Sequence, residues 1–278
     1  MKIRVISAIA GLGLLISVVL LPVEIFGIAV FALALVGIYE FYNAVSNAGY
    51  RPVKFIGYLT CIPLLLIGIG AGNGRFGDFA GKLLLPEYFT FVIFIVLAAL
   101  MAFIVFLRDR YNLLDICLTV FGVLYVIFLL SFVLLTRNLE HGRLFIWLIF
   151  IGAWATDTFA YFAGVTMGKT KLIPAISPKK TVEGSVGGII GCVLITVLYG
   201  LYINTYLDFI PVYHYVIIGL LSGSISQIGD LAASAIKRYV NIKDYGYVMP
   251  GHGGALDRFD SILFVAPVIY FYIKFFIH

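Results

Sequence analysis

The sequence predicts an all-α integral membrane protein, a polytopic bundle of about nine transmembrane helices. Three observations predict it. Of the 278 residues 62% are hydrophobic and 12% charged, at a mean hydropathy of +1.08, whereas soluble domains carry roughly twice that share of charge. The apolar residues fall in blocks of roughly 17–25, the length that crosses a hydrocarbon core. The cations also sort unevenly: 14 of the 19 Lys and Arg lie on the face that holds the N-terminus and 5 on the other. The positive-inside rule then puts the N-terminus in the cytoplasm and the C-terminus on the opposite side. Helices are expected because every backbone polar group in lipid must be paired within its own segment.

In order, the expected spans cover 5–20, 23–45, 55–70, 88–107, 113–135, 144–167, 182–202, 213–237 and 255–276. Lys2 and Arg4 precede the first run as they would in a signal peptide. No small-residue cleavage site follows and Pro22 leads straight into the next block, so the run reads as a retained span. The chain reads as a single membrane domain, 1–278, with generic spans over 1–140 and the chemistry-bearing spans and loops over 141–278. Cys61, Cys117 and Cys192 stand singly inside apolar blocks. That excludes a C-x-x-C zinc site and a disulfide framework and predicts small buried core residues.

Two segments on the face expected to be cytoplasmic exceed what topology alone needs. In the second, Pro250, Gly251, Gly253 and Gly254 make a turn whose N–H groups can approach an anion, and the last span starts just beyond it. Its positive end is expected to point at the same place. Asp257 and Asp260 share one face of that first turn and suit Mg²⁺, which takes oxygen ligands and bridges to phosphates. Asp230 lies in an apolar span, on a stripe with Ser222, Ser226 and Ser234. A carboxylate there needs a partner, either a metal or Lys237 or Arg238.

In the first segment, Ala160, Gly164 and Gly168 put small residues at four-residue spacing, which favours close helix packing. Asp157 is an intramembrane acid, either functional or a buried structural hydrogen-bonding group. Ser177 and Pro178 fit an N-cap followed by a helix's first residue. Lys179, Lys180 and Thr181 would then crowd a helix N-terminus, where cations oppose the dipole unless a polyphosphate neutralises them.

At these residues the sequence resembles the phosphatidate cytidylyltransferase (CDP-diacylglycerol synthase) family. The likeness rests on residues 234–260, on Ser177 to Gly184, and on Trp154-x-x-Asp157-x-x-Ala160-Tyr161-x-x-Gly164. Glu40 resembles a glutamate of the family's second span. Met249 and Ala255 stand where the family carries other apolar residues.

The resemblance implies attack of the phosphatidic acid phosphate on the α-phosphorus of CTP, giving CDP-diacylglycerol and pyrophosphate. Such a phosphomonoester is already largely ionised at pH 7, so no protein nucleophile is required. Asp230, Asp257 and Asp260 would hold Mg²⁺, with room for a second cation. Lys237 and Arg238 would assist the transfer, and Lys179 and Lys180 would bind the CTP phosphates. Ser177, Thr181, Glu183, Lys243, Gly253, Gly254 and Asp157 would complete the substrate site. Arg238, Arg258 and His252 are candidates for the lipid headgroup or the departing pyrophosphate, unless His252 only fixes the turn. The expected setting is a bacterial inner membrane, multi-pass, with the active site facing the cytoplasm and the opposite face open to a homodimer. No nucleic acid partner is expected. A CTP-dependent lipid kinase, or a cytidylyltransferase for another lipid phosphate, would use the same residues. An ion-coupled transporter using Asp157 and Asp230 is a more distant alternative.

Overall fold

In the computed structural model, residues 2–70, 82, 86–207, 210–248 and 253–277 are described. Each of the nine expected spans is helical. They form α1 (Lys2–Leu20), α2 (Val23–Asn47), α3 (Lys54–Leu59), α4 (Ile62–Gly70), α5 (Pro86–Phe106), α6 (Leu113–Arg137), α7 (Gly142–Met167), α8 (Val182–Ile203), α9 (Val212–Tyr239) and α10 (Leu256–Phe276). Among the described residues, α2 and α6–α10 are long and apolar enough to cross a membrane, and three further apolar helical stretches are shorter. The third expected span is two helices, α3 and α4, with the break at Thr60–Cys61. Two strands interrupt the helices: β1 (Lys171–Ile173) and β2 (Ser177–Thr181).

Two compact units divide the chain, one of Met1–Leu134 with Val240–Arg258 and one of Leu135–Tyr239 with Phe259–His278. In the first unit, α2 is the buried helix, with Phe26, Val30, Ala34, Ile38, Phe41 and Tyr42 covered. Gly27 of α2 and Gly68 of α4 bring two backbones together, since a Cβ on either would collide with the other's Cα. In lipid no hydrophobic effect drives helices together, so such close van der Waals approach supplies the attraction. Further out, Val53, Ile56, Leu100 and Ile116 form the core that joins α3, α5 and α6. Tyr42 donates to the Thr119 carbonyl at 2.9 Å, and the Thr119 hydroxyl accepts the Val53 N–H at 2.8 Å. Helix α6 widens into a π-helical stretch at Val123–Phe128, just after Gly122 makes room for the rings of Phe41 and Tyr42.

In the second unit, α7 and α8 meet along the small residues of both helices. A Cβ at Gly184 would lie 2.8 Å from the Ala160 carbonyl, and one at Gly188 would lie 2.9 Å from the Ala160 methyl. The expected packing role of Ala160 and Gly164 is what the structure shows. Large apolar side chains such as Phe94, Val105, Leu198 and Phe275 are exposed, as fits surfaces solvated by acyl chains. Cys61 and Cys192 are buried as expected, whereas Cys117 is exposed.

Candidate active site

The second unit gathers charged residues from four elements. First comes the hairpin, where the sequence reading needs correction. Ser177 does not cap a helix, and Pro178 does not begin one. Residues 177–181 are extended and pair antiparallel with β1, with Lys171 opposite Thr181 and Ile173 opposite Ser177. The helix begins only at Val182. Thr181 is its N-cap, and its hydroxyl accepts the Gly184 N–H at 3.1 Å. A β-branched hydroxyl residue suits both a strand end and a cap, and Pro is tolerated in a hairpin with outer edges.

Glu183, in the first turn of α8, accepts the N–H groups of Lys169 at 3.1 Å and Thr170 at 3.2 Å, which ties the base of the hairpin to the helix. Its carboxylate therefore organises the loop. Lys179 and Lys180 are neighbours on a strand, so they project to opposite sides. Lys179 is exposed. Lys180 is half-buried and pairs with Asp230 at 2.5 Å. Asp230 therefore has a cation partner, and it is Lys180.

Asp230 sits on α9, where Ser234 Oγ lies 3.4 Å from its Oδ1. Gly229, beside it, is where α9 meets α10: a Cβ there would fall 2.9 Å from the Asp260 carbonyl and 3.0 Å from Phe264. That contact brings Asp260 into the electrostatic field of Asp230, Lys237 and Asp157. Asp260 is buried, with Oδ1 accepting the Ser261 N–H at 2.8 Å. Asp157 on α7 is exposed. Three carboxylates and two ammonium groups thus lie in one another's field, an excess of negative charge of which Asp260 is the buried member. Ser222 and Ser226 of α9 and Ser261 of α10 are buried, and their hydroxyls have no hydrogen-bond partner among the described residues. Arg238 is exposed at the end of α9, where cations complement the helix dipole.

The first unit holds the other predicted residues. Asp257 Oδ2 accepts the Tyr245 N–H at 2.7 Å and the Gly254 N–H at 3.0 Å. Glu40, on α2 and 2% exposed, reaches the start of α10. Its two oxygens accept the N–H groups of Ala255 at 2.9 Å and Leu256 at 2.8 Å. Gly246 and Gly254 leave the space it fills, for a Cβ on either would overlap its carboxylate. Gly253 turns the chain at φ +88°, where other residues are strained. The expectation that the amides at the start of α10 wait for a substrate anion is therefore corrected. The protein's own carboxylates take those of Gly254, Ala255 and Leu256, as a buried helix end requires. Lys243 and Arg258 are exposed, and His252 lies outside the described residues.

What sequence reasoning missed is the Glu40 clamp and the partnership of Lys180 with Asp230. The first had a signal: an acid in an apolar span must find a partner. A helical membrane protein that gathers acids and lysines at the ends of its spans has the make-up of a membrane enzyme for anionic substrates. The comparisons narrow that class: the Cytidylyltransferase family profile matches residues 2–276. The chain is 34% identical over 274 residues to the phosphatidate cytidylyltransferase of Staphylococcus saprophyticus, with 97% of each chain covered. It is 30% identical over 278 residues to that of Bacillus subtilis, covering 99% of this chain and 98% of the relative. The enzyme of that name from Staphylococcus aureus is 34% identical over 279 residues, with 97% of each covered. This chain belongs to the cytidylyltransferase family, and so to the nucleotidyltransferases.

Proposed function

We propose that this protein transfers CMP from CTP to phosphatidic acid, releasing pyrophosphate and forming CDP-diacylglycerol. The observation that carries the reading is the cluster of Asp157, Asp230 and Asp260 with Lys180 and Lys237, in a family whose named relatives match nearly end to end. An oxygen of the lipid phosphate forms a bond to the α-phosphorus of CTP while the bond from that phosphorus to the bridging oxygen breaks. Negative charge then grows on the pyrophosphate. The protein has to hold two polyanions together and stabilise that growing charge.

Lys180, paired with Asp230, would meet the nucleotide phosphates, and Lys179 would support it from the other side of the strand. Arg238 and Arg258, both exposed, are the candidates for the lipid headgroup or the leaving group. The oxygen-only donor set and the negative excess fit Mg²⁺. Among the described residues no three acid, imidazole or thiol groups stand close enough to be a formed metal centre. Asp230 and Asp260 would hold the ion, with substrate phosphates completing its shell. When bound, the metal would neutralise phosphate charge. The cation asymmetry supports a cytoplasmic site, with CTP arriving from that side and the lipid from within the bilayer.

Purified protein in detergent, given CTP, Mg²⁺ and phosphatidic acid, is expected to release pyrophosphate only when all three are present. Asp260→Asn should cut that release by roughly 10²–10³-fold. Release of CDP in place of pyrophosphate would establish the lipid-kinase chemistry, and silence with every lipid phosphate would overturn the assignment.

A further inference from the structure

A polar cavity lies wholly in the first unit. It measures about 270 Å³ and is lined by residues 108–112 together with Gly49, Arg51 and Asp115. We propose that it is a binding site for the phosphate headgroup of an anionic phospholipid, distinct in its residues from the proposed catalytic machinery. This does not depend on the cytidylyltransferase reading.

The acids at the cavity could have neutralised the arginines but do not. Asp115 is 2% exposed and spends its two oxygens on backbone. Oδ1 accepts the Arg51 N–H at 2.6 Å, and Oδ2 accepts the Asn112 N–H at 2.9 Å in the capping box of α6. Asp109 meets Arg108 only at 3.9 Å, with both side chains almost wholly in solvent, and such a pair is worth little. Three exposed guanidinium groups are left around one cavity with little pairing to carboxylates among the described residues. Of the three, Arg110 has a side-chain contact that holds it in place. Arg110 lies 5.6 Å over the ring of Tyr111, and Tyr111 in turn packs edge-on against Phe103 at 5.7 Å. That ring contact connects the cavity wall to the core shared by α3, α5 and α6. Gly49 adds a stretch of backbone, at φ +95°, with open space where a side chain would stand. Planar guanidinium groups match phosphate oxygens in pairs.

The rim says what kind of phosphate. The cavity opens where α5 ends and α6 begins, beside Phe106 at 82% exposure, Leu113 at 61% and Leu114 at 59%. Basic pockets at the ends of membrane helices, bordered by lipid-facing apolar side chains, suit a phosphate that carries acyl chains. A free phosphate would have no use for that border.

The test is native mass spectrometry of the full chain released from detergent after equilibration with phosphatidylglycerol or phosphatidylcholine. Wild type should retain phosphatidylglycerol preferentially. Arg51→Gln with Arg110→Gln should bind it roughly thirtyfold more weakly, since each basic residue near a membrane surface contributes about 1 kcal/mol. Arg143→Gln, a cation outside the cavity, should bind as wild type does. Arg51→Lys with Arg110→Lys, which keeps the charge, should fall between, and it serves if the glutamine pair fails to fold. Equal retention of both lipids by wild type, or unchanged phosphatidylglycerol binding in the paired glutamine variant, would overturn the proposal. Displacement of the lipid by millimolar inorganic phosphate would also overturn it, in favour of a soluble anion.

Discussion

The two units treat buried acids in opposite ways. In the first, Glu40, Asp115 and Asp257 are satisfied by backbone N–H groups, at distances from 2.6 to 3.0 Å. In the second, Asp230 faces a lysine and a serine, while Asp260 has one amide and the field of its neighbours. A carboxylate that gathers amides fixes loops and helix ends, because its partners cannot leave without unfolding. One that faces mobile side chains can exchange them for a substrate or an ion. Where a carboxylate's hydrogen bonds end therefore separates scaffold from chemistry here better than its depth in the bundle does.

The comparison is most exposed at Asp260. Asp260→Asn is expected to cut turnover by roughly 10²–10³-fold, the scale on which a single electrostatic group at a reacting centre acts, and to leave the thermal midpoint in detergent near wild type. A large fall in that midpoint with modest loss of turnover would place Asp260 among the scaffold acids. Lys180→Gln comes next. It should lower kcat/KM for CTP by roughly tenfold to a hundredfold, as loss of one charge-assisted contact does, with Lys180→Arg recovering part and the KM for phosphatidic acid little changed.

Glu40→Gln probes the other side. It keeps the shape but loses a charge-assisted acceptor at the start of α10, and should destabilise by about 1–3 kcal/mol. That would appear as a lower midpoint in a dye-based unfolding scan, with the KM for CTP unaltered. Gly229→Ala tests the seam between α9 and α10. Its methyl must displace the Asp260 carbonyl or Phe264, at a cost of about 1–2 kcal/mol, and turnover should fall with it. The smallest effect is expected from Glu183→Gln, which should leave turnover near wild type while trypsin cuts the hairpin faster.

The spans were legible because a bilayer dictates length and polarity locally, and even the ends of α8, α9 and α10 fall within a few residues of where hydropathy puts them. The small-residue seam at Ala160 and Gly164 was legible for the same reason, being a short-range pattern. Ser177-Pro178 misled because an N-cap signature and the first residues of a strand share residue types. The true cap, Thr181, offers the same chemistry four positions on. Glu40 and the start of α10 are 215 and 216 residues apart, and Lys180 and Asp230 lie on different elements. Periodicity carries no information about pairs so distant. An acid in an apolar span announces that a partner exists, not which one.

The hairpin has one more consequence. Lys171 and Lys179 are exposed on a short two-stranded ribbon, and Glu183 fastens its base to α8. It is therefore a natural protease gauge of sidedness. If the hairpin lies on the cytoplasmic side, as proposed, trypsin added outside sealed inverted vesicles should cut there into two fragments that remain associated. In right-side-out vesicles the ribbon should survive, so a single gel reads the orientation of the whole protein.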